Sequence, residues 1–72
     1  MSKYYETKAK KIAGEINKIY YILDTIEDIY KNCKFDKMTE NEAVDIDYCM
    51  QSLRVAREWV NDARHELQIE ED

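Results

Sequence analysis

The sequence predicts an all-α fold, an antiparallel two-helix hairpin of coiled-coil type. Three observations predict it: two unbroken apolar series at helical spacing, one break between them, and a constant register that relates the two series. In the first series Tyr5, Ala9, Ile12, Ile16, Ile19, Leu23, Ile26, Tyr30 and Cys33 step alternately by four and three, the spacing of heptad a and d positions. Helix 1 is therefore expected over about residues 3–31, capped by Ser2 and closed by Asn32 as a left-handed terminator in place of the usual Gly. The period is lost between Asn32 and Met38, which puts a loop at about 32–39. Thr39-Glu40-Asn41-Glu42 then places a hydroxyl three residues before a carboxylate, a capping box for helix 2 at about 40–70. The second series is Ile46, Cys49, Leu53, Ala56, Val60, Ala63 and Leu67, stepping by three and four. No segment alternates as a strand would.

Antiparallel helices joined by a short loop should pair residues whose numbers have a constant total. Tyr5 with Leu67, Ala9 with Ala63, Ile12 with Val60, Ile16 with Ala56, Ile19 with Leu53, Leu23 with Cys49 and Ile26 with Ile46 all total 72. The midpoint, Asp36, falls within the loop that the capping signal locates independently. The chain is thus read as one helical-hairpin domain over residues 1–72.

Composition narrows the function classes. The 72 residues include 16 acidic and 11 basic side chains, one Gly, no Pro and two Cys, for a net charge of −5. No apolar run approaches the ~18 residues of a membrane span, and the start Met1-Ser2-Lys3-Tyr4-Tyr5-Glu6 carries no apolar leader segment. A cytoplasmic protein without a membrane partner is expected. Acidity argues against direct nucleic-acid binding, although Lys8, Lys10, Lys11 and Lys18 form a local basic stretch. Residues 1–23 carry five Lys and two Glu, net +3, and helix 2 ends near Glu66, Glu70, Glu71 and Asp72, so the two termini are expected to compensate each other. Residues 24–47 carry eight acids and three lysines, a local −5.

Two helices have difficulty burying the apolar surface needed to order so long a chain. Apolar residues also spill beyond the a and d rows onto one flank, as Ile22, Ile29, Tyr48, Val55 and Trp59, with Trp59 as the anchor. The opposite flank, Ala13, Tyr20, Ala43 and Met50, is interrupted by Glu27, Arg57 and Arg64 and is the poorer candidate for burial. The first flank is expected to complete a four-helix bundle as a homodimer or to dock on another protein.

No catalytic residue and no cofactor site is expected, because the sequence has no Cys-x-x-Cys, no Gly-rich phosphate loop and no nucleophile-base pair. Asp62 and His65 form Asp-x-x-His on one helix face, a fragment of a metal-bundle motif without the inward carboxylates it requires, since Glu15 and Glu27 lie on the flanks. His65 also lacks the downstream Lys-Gly that accompanies phosphorelay histidines. Cys33 and Cys49 are too far apart along the hairpin for an internal disulfide and are expected as reduced core thiols. Gly14, on the outer face of helix 1 with Tyr21 one heptad on, either carries a small helix penalty or admits a partner backbone.

The function expected is therefore a non-catalytic acidic interaction module, a regulator or adaptor that self-associates and binds another protein through its surface. The alternative is an inhibitor imitating nucleic acid, which would insert Asp24, Asp28, Glu40, Glu42, Asp45 and Asp47 into the basic cleft of a nuclease, restriction enzyme or CRISPR effector. A metal-binding bundle is a third reading.

Overall fold

The computed structural model describes residues 2–69 and contains two long helices, α1 (Lys3–Lys31) and α2 (Glu40–Glu66), joined by a loop that holds a single 3-10 turn, Phe35–Lys37. They form an antiparallel hairpin, a rod of 55 × 17 × 17 Å.

Each boundary has a local cause. The Ser2 hydroxyl accepts from the Tyr5 backbone N–H at 3.1 Å and starts α1. Asn32 ends it, but not as a left-handed residue: its φ is −98°, and no non-glycine residue among those described has positive φ. Instead the Asn32 backbone N–H is shared between the carbonyls of Asp28 and Ile29, both at 3.2 Å, and its side-chain amide donates to Asp28 O at 2.8 Å. A side chain able to reach back one turn satisfies the last carbonyls without the αL conformation. In the loop, Phe35 meets Tyr30 edge to face at 5.5 Å between centroids. The capping box of α2 is complete: Glu42 N–H donates to Thr39 Oγ1 at 3.2 Å and Thr39 N–H to Glu42 Oε1 at 2.9 Å. α2 stops at Glu66, short of the expected 70, and the Gln68 N–H beyond it donates to the Tyr5 hydroxyl at 2.9 Å, which ties the chain back onto α1. Of the acids expected to compensate the lysine-rich start of α1, Glu66 is the last residue of α2, while Glu70, Glu71 and Asp72 lie outside the described residues.

The main correction concerns which rows meet. Among the buried and half-buried residues, one series on α1 runs Glu6, Ala9, Ala13, Ile16, Tyr20, Leu23, Glu27 and Tyr30 and one on α2 runs Ala43, Ile46, Met50, Leu53, Arg57, Val60 and Arg64, while Tyr5, Ile26 and Ala56 of the expected rows are half-buried as well. Both series keep alternate steps of three and four. Each keeps one expected row (Ala9, Ile16, Leu23 and Tyr30; Ile46, Leu53 and Val60) and exchanges the other for its neighbour, a turn of roughly 50° about the helix axis. Ala13, Tyr20, Ala43 and Met50, expected on the poorer flank, belong to the seam, and Ala9, Ala13 and Met50 are the buried hydrophobics among the described residues. Ile12 and Ile19, expected in the core, are 52% and 40% exposed, and Cys49 is an exposed thiol, with Cys33 half-buried.

Stability measurements on three variants test these assignments. Thr39→Ala should lower the unfolding free energy by about 1 kcal/mol through loss of the cap. Thr25→Ala, which removes only a mid-helix hydroxyl bonded to Tyr21 O, should stay within about 0.5 kcal/mol of the parent in urea denaturation. Ala13→Leu should cost about 1–3 kcal/mol by overpacking the seam; had the a/d rows met as the sequence suggested, the added bulk would be harmless.

Candidate interaction surface

The turned seam divides the rod into two unlike flanks. On one, polar groups clasp the helices together. Arg54 makes a two-pronged pair with Glu27, Nε to Oε1 at 2.8 Å and Nη2 to Oε2 at 3.2 Å. Arg57 Nη1 meets Asp24 Oδ1 at 2.7 Å. The Tyr30 hydroxyl donates to Asp47 at 2.8 Å and that of Tyr20 to Asn61 at 3.4 Å. The guanidinium groups also lie over rings, Arg54 over Tyr30 at 5.5 Å and Arg57 over Tyr20 at 5.4 Å. Arginine stems thereby cover the seam while their charged heads stay in water, which is why a flank interrupted by Glu27 and Arg57 still packs. The charge pairing has electrostatic consequences. The Arg54 hydrogen bond holds the Glu27 carboxyl below the ordinary glutamate range, against a smaller desolvation effect that raises it, and the same bond raises Arg54. The bond to Asp47 raises the Tyr30 phenol.

The other flank is open and apolar. Ile12, Ile19, Ile22 and Ile29 of α1 and Tyr48, Val55 and Trp59 of α2 are all exposed, Trp59 at 70% and Ile29 at 63%. These are seven of the ten exposed large hydrophobics among the described residues; the others are Tyr4, Tyr21 and Val44. By helical period, Ile12 and Ile19 sit beside the seam and Ile22 and Ile29 one row further out. On α2, exposed Cys49 and Ala63 sit beside the seam and Tyr48, Val55 and Trp59 beyond them. The face is wider than the five residues Ile22, Ile29, Tyr48, Val55 and Trp59 expected from sequence, because turning the helices exposes half of the expected core row as well.

The six acids grouped as a recognition surface do not behave alike. Asp24 is paired with Arg57, Asp47 accepts from Tyr30, and Glu42 belongs to the capping box. Asp28, Glu40 and Asp45 are exposed and make no side-chain bond among the described residues. Asp62 and His65 both line an open polar depression with Asn17, Tyr20, Arg57, Glu58, Asn61 and Arg64. Among the described residues, no group of three or more His, Cys, Asp or Glu is gathered as a metal ion would need. A Cβ built on Gly14 would meet nothing within 4 Å, so the hairpin itself does not require glycine there. Lys8 lies over the Tyr4 ring at 5.5 Å, and Lys18 pairs with Glu15 at 2.8 Å.

No protein-family model, curated protein or solved structure matches the chain. What the surface can do therefore rests on its own chemistry. No helix among the described residues is long and apolar enough to cross a membrane.

What sequence reasoning missed is the clasp. Glu27 with Arg54 and Asp24 with Arg57 both have residue numbers totalling 81, not 72, as does Tyr20 with Asn61. Long side chains lean toward the N-terminus of their own helix, and in an antiparallel pair the two leans oppose. Partners therefore meet from backbone positions displaced toward higher numbers, and a signal was present in the shared total.

The Glu27 pair also makes a pH prediction. A carboxyl whose folded-state pKa lies below its ordinary value of 4.5 stabilises the fold fully above that value, and the contribution is lost as the pH falls through the folded-state pKa. In urea unfolding, Glu27→Gln should therefore be less stable than the parent at about pH 6, and the gap should close as the pH is lowered toward about 3. A gap independent of pH would show that the carboxylate charge contributes nothing.

Proposed function

We propose that this protein is a non-catalytic interaction module that self-associates as a homodimer through its apolar flank and presents its acidic loop end to another macromolecule. The observation that carries the reading is the set of exposed side chains Ile12, Ile19, Ile22, Ile29, Tyr48, Val55 and Trp59 on a hairpin whose fully buried apolar residues, among those described, are Ala9, Ala13 and Met50. Exposed large apolar side chains in this number, with an indole among them, are characteristic of surfaces that become buried on association. A second hairpin laid on that face would give a four-helix bundle with an interior of isoleucine, valine and aromatic side chains.

The same loop end underlies the alternative of a nucleic-acid mimic directed at a basic enzyme cleft. Three of its six carboxylates are already engaged within the chain, and Lys31, Lys34 and Lys37 are interspersed, which favours the interaction-module reading.

Light scattering after gel filtration, over a dilution series, should give twice the chain mass of 8.7 kDa. Trp59→Glu should lower it to that of a monomer, while Tyr21→Glu, on the outer face of α1, should leave the dimer intact. An unchanged dimer with Trp59→Glu would remove the flank from the proposal.

A further inference from the structure

Resting on the self-association proposed above, we infer that the second copy lies head to tail on the apolar flank, with the loop of one hairpin at the open end of the other. The two-fold axis then crosses the rods at mid-length, so α1 lies on α1 and α2 on α2. The alternative, with both loops at one end, lays α1 on the second copy's α2. Two independent features distinguish the arrangements.

The first is the spacing of the apolar residues. On α1, Ile12 and Ile29 are symmetric about the point between residues 20 and 21, and so are Ile19 and Ile22. On α2, Tyr48 and Trp59 are symmetric about the point between residues 53 and 54. These two centres lie at one level of the rod to within about one residue, because the seam rows from Ala9 to Tyr30 and from Ala43 to Arg64 run opposite at numbers totalling 73 and the centres total 74. One axis through that level therefore places Ile12 on Ile29, Ile19 on Ile22 and Trp59 on Tyr48 of the second copy. With the loops together, residues meet at equal height instead. At a total of 73, Trp59 then faces the level of Gly14, Ile12 that of Asn61 and Tyr48 that of Thr25, so these large apolar groups lose the apolar partners that the head-to-tail arrangement gives them.

The second feature is charge. The loop half, residues 24–47, carries eight acids against three lysines, net −5. In the described part of the open half, residues 2–23 are net +3 and residues 54–69, where Arg54, Arg57 and Arg64 balance Glu58, Asp62 and Glu66, are net zero, a total of +3. Loops together would set −5 beside −5. Head to tail sets each −5 end beside an end whose described residues net +3 and include Lys3, Lys8, Lys10 and Lys11. The product is a rod with an acidic loop at both tips, able to engage two partner molecules or two sites on one partner.

The orientation is read directly by the distance between the two loops. Asp36→Cys, in a chain with Cys33→Ala and Cys49→Ala, is spin-labelled, and the label separation is measured by pulsed electron resonance on material that light scattering shows to be dimeric. Head to tail, the labels should lie about 40 Å apart, given ~1.5 Å of rise per helical residue. A separation below about 25 Å, the scale of two 17 Å-thick hairpins side by side, would overturn the orientation and leave self-association standing. A monomeric mass for the parent would instead overturn the self-association and the orientation with it; where only the labelled chain is monomeric, the label is placed at Lys37→Cys with Cys33→Ser and Cys49→Ser, and the same two distances decide.

Discussion

A chain of two helices has a single seam, and everything else about this molecule follows from that constraint. One seam brings together two narrow rows of side chains, so large residues on either row keep one side in water. Here the rows that meet contain Ala9, Ala13 and Met50 as their buried apolar members, with Tyr20, Glu27, Tyr30, Arg57 and Arg64 half-covered beside them. Ile12, Ile19, Ile22 and Ile29 are left exposed, while Ile16, Ile26 and Ile46 are half-buried. Since apolar burial is the principal favourable term in folding, a hairpin with so thin an interior has a strong thermodynamic reason to acquire further contacts, and its open flank is where apolar area remains to be removed from water.

The clasp on the polar flank explains which rows meet. Individually, ion pairs in contact with solvent are weak, but Arg54–Glu27, Arg57–Asp24, Tyr30–Asp47 and Tyr20–Asn61 all join the helices on the same side. Each arginine adds a stem lying over a tyrosine ring, so the flank combines charge pairing with covered hydrocarbon. A wholly apolar contact between the a and d rows would leave these groups without partners across the helices. The turned arrangement uses both kinds of residue, one flank for polar closure and the other for apolar display.

The ends of the rod differ as well. At the open end the Tyr5 hydroxyl holds the chain beyond α2 to the first turns of α1. At the loop end the capping box, the Asn32 turn and the Tyr30–Phe35 edge contact define how the chain reverses. Half of the grouped carboxylates there have internal structural duties and half face water, so this end joins a fold determinant to a charged surface in one segment. The proposed dimer would carry such an end at each tip.

By itself the sequence determined the helices, their reversal and the existence of an apolar flank. Heptad steps are local and continuous from Tyr5 to Cys33 and from Ile46 to Leu67, and Ser2 and Thr39 act within one turn of their own positions, so no distant contact is needed to read them. Ile22, Ile29, Tyr48, Val55 and Trp59 were legible as surplus to one seam for the same reason. The tertiary structure alone decided which of two adjacent rows became that seam. A helix whose apolar stripe spans three heptad rows has two near-equivalent ways to face its neighbour. The choice between them depended on cross-helix pairs, such as Glu27 with Arg54, that are 27 residues apart and exist only once the two helices lie side by side.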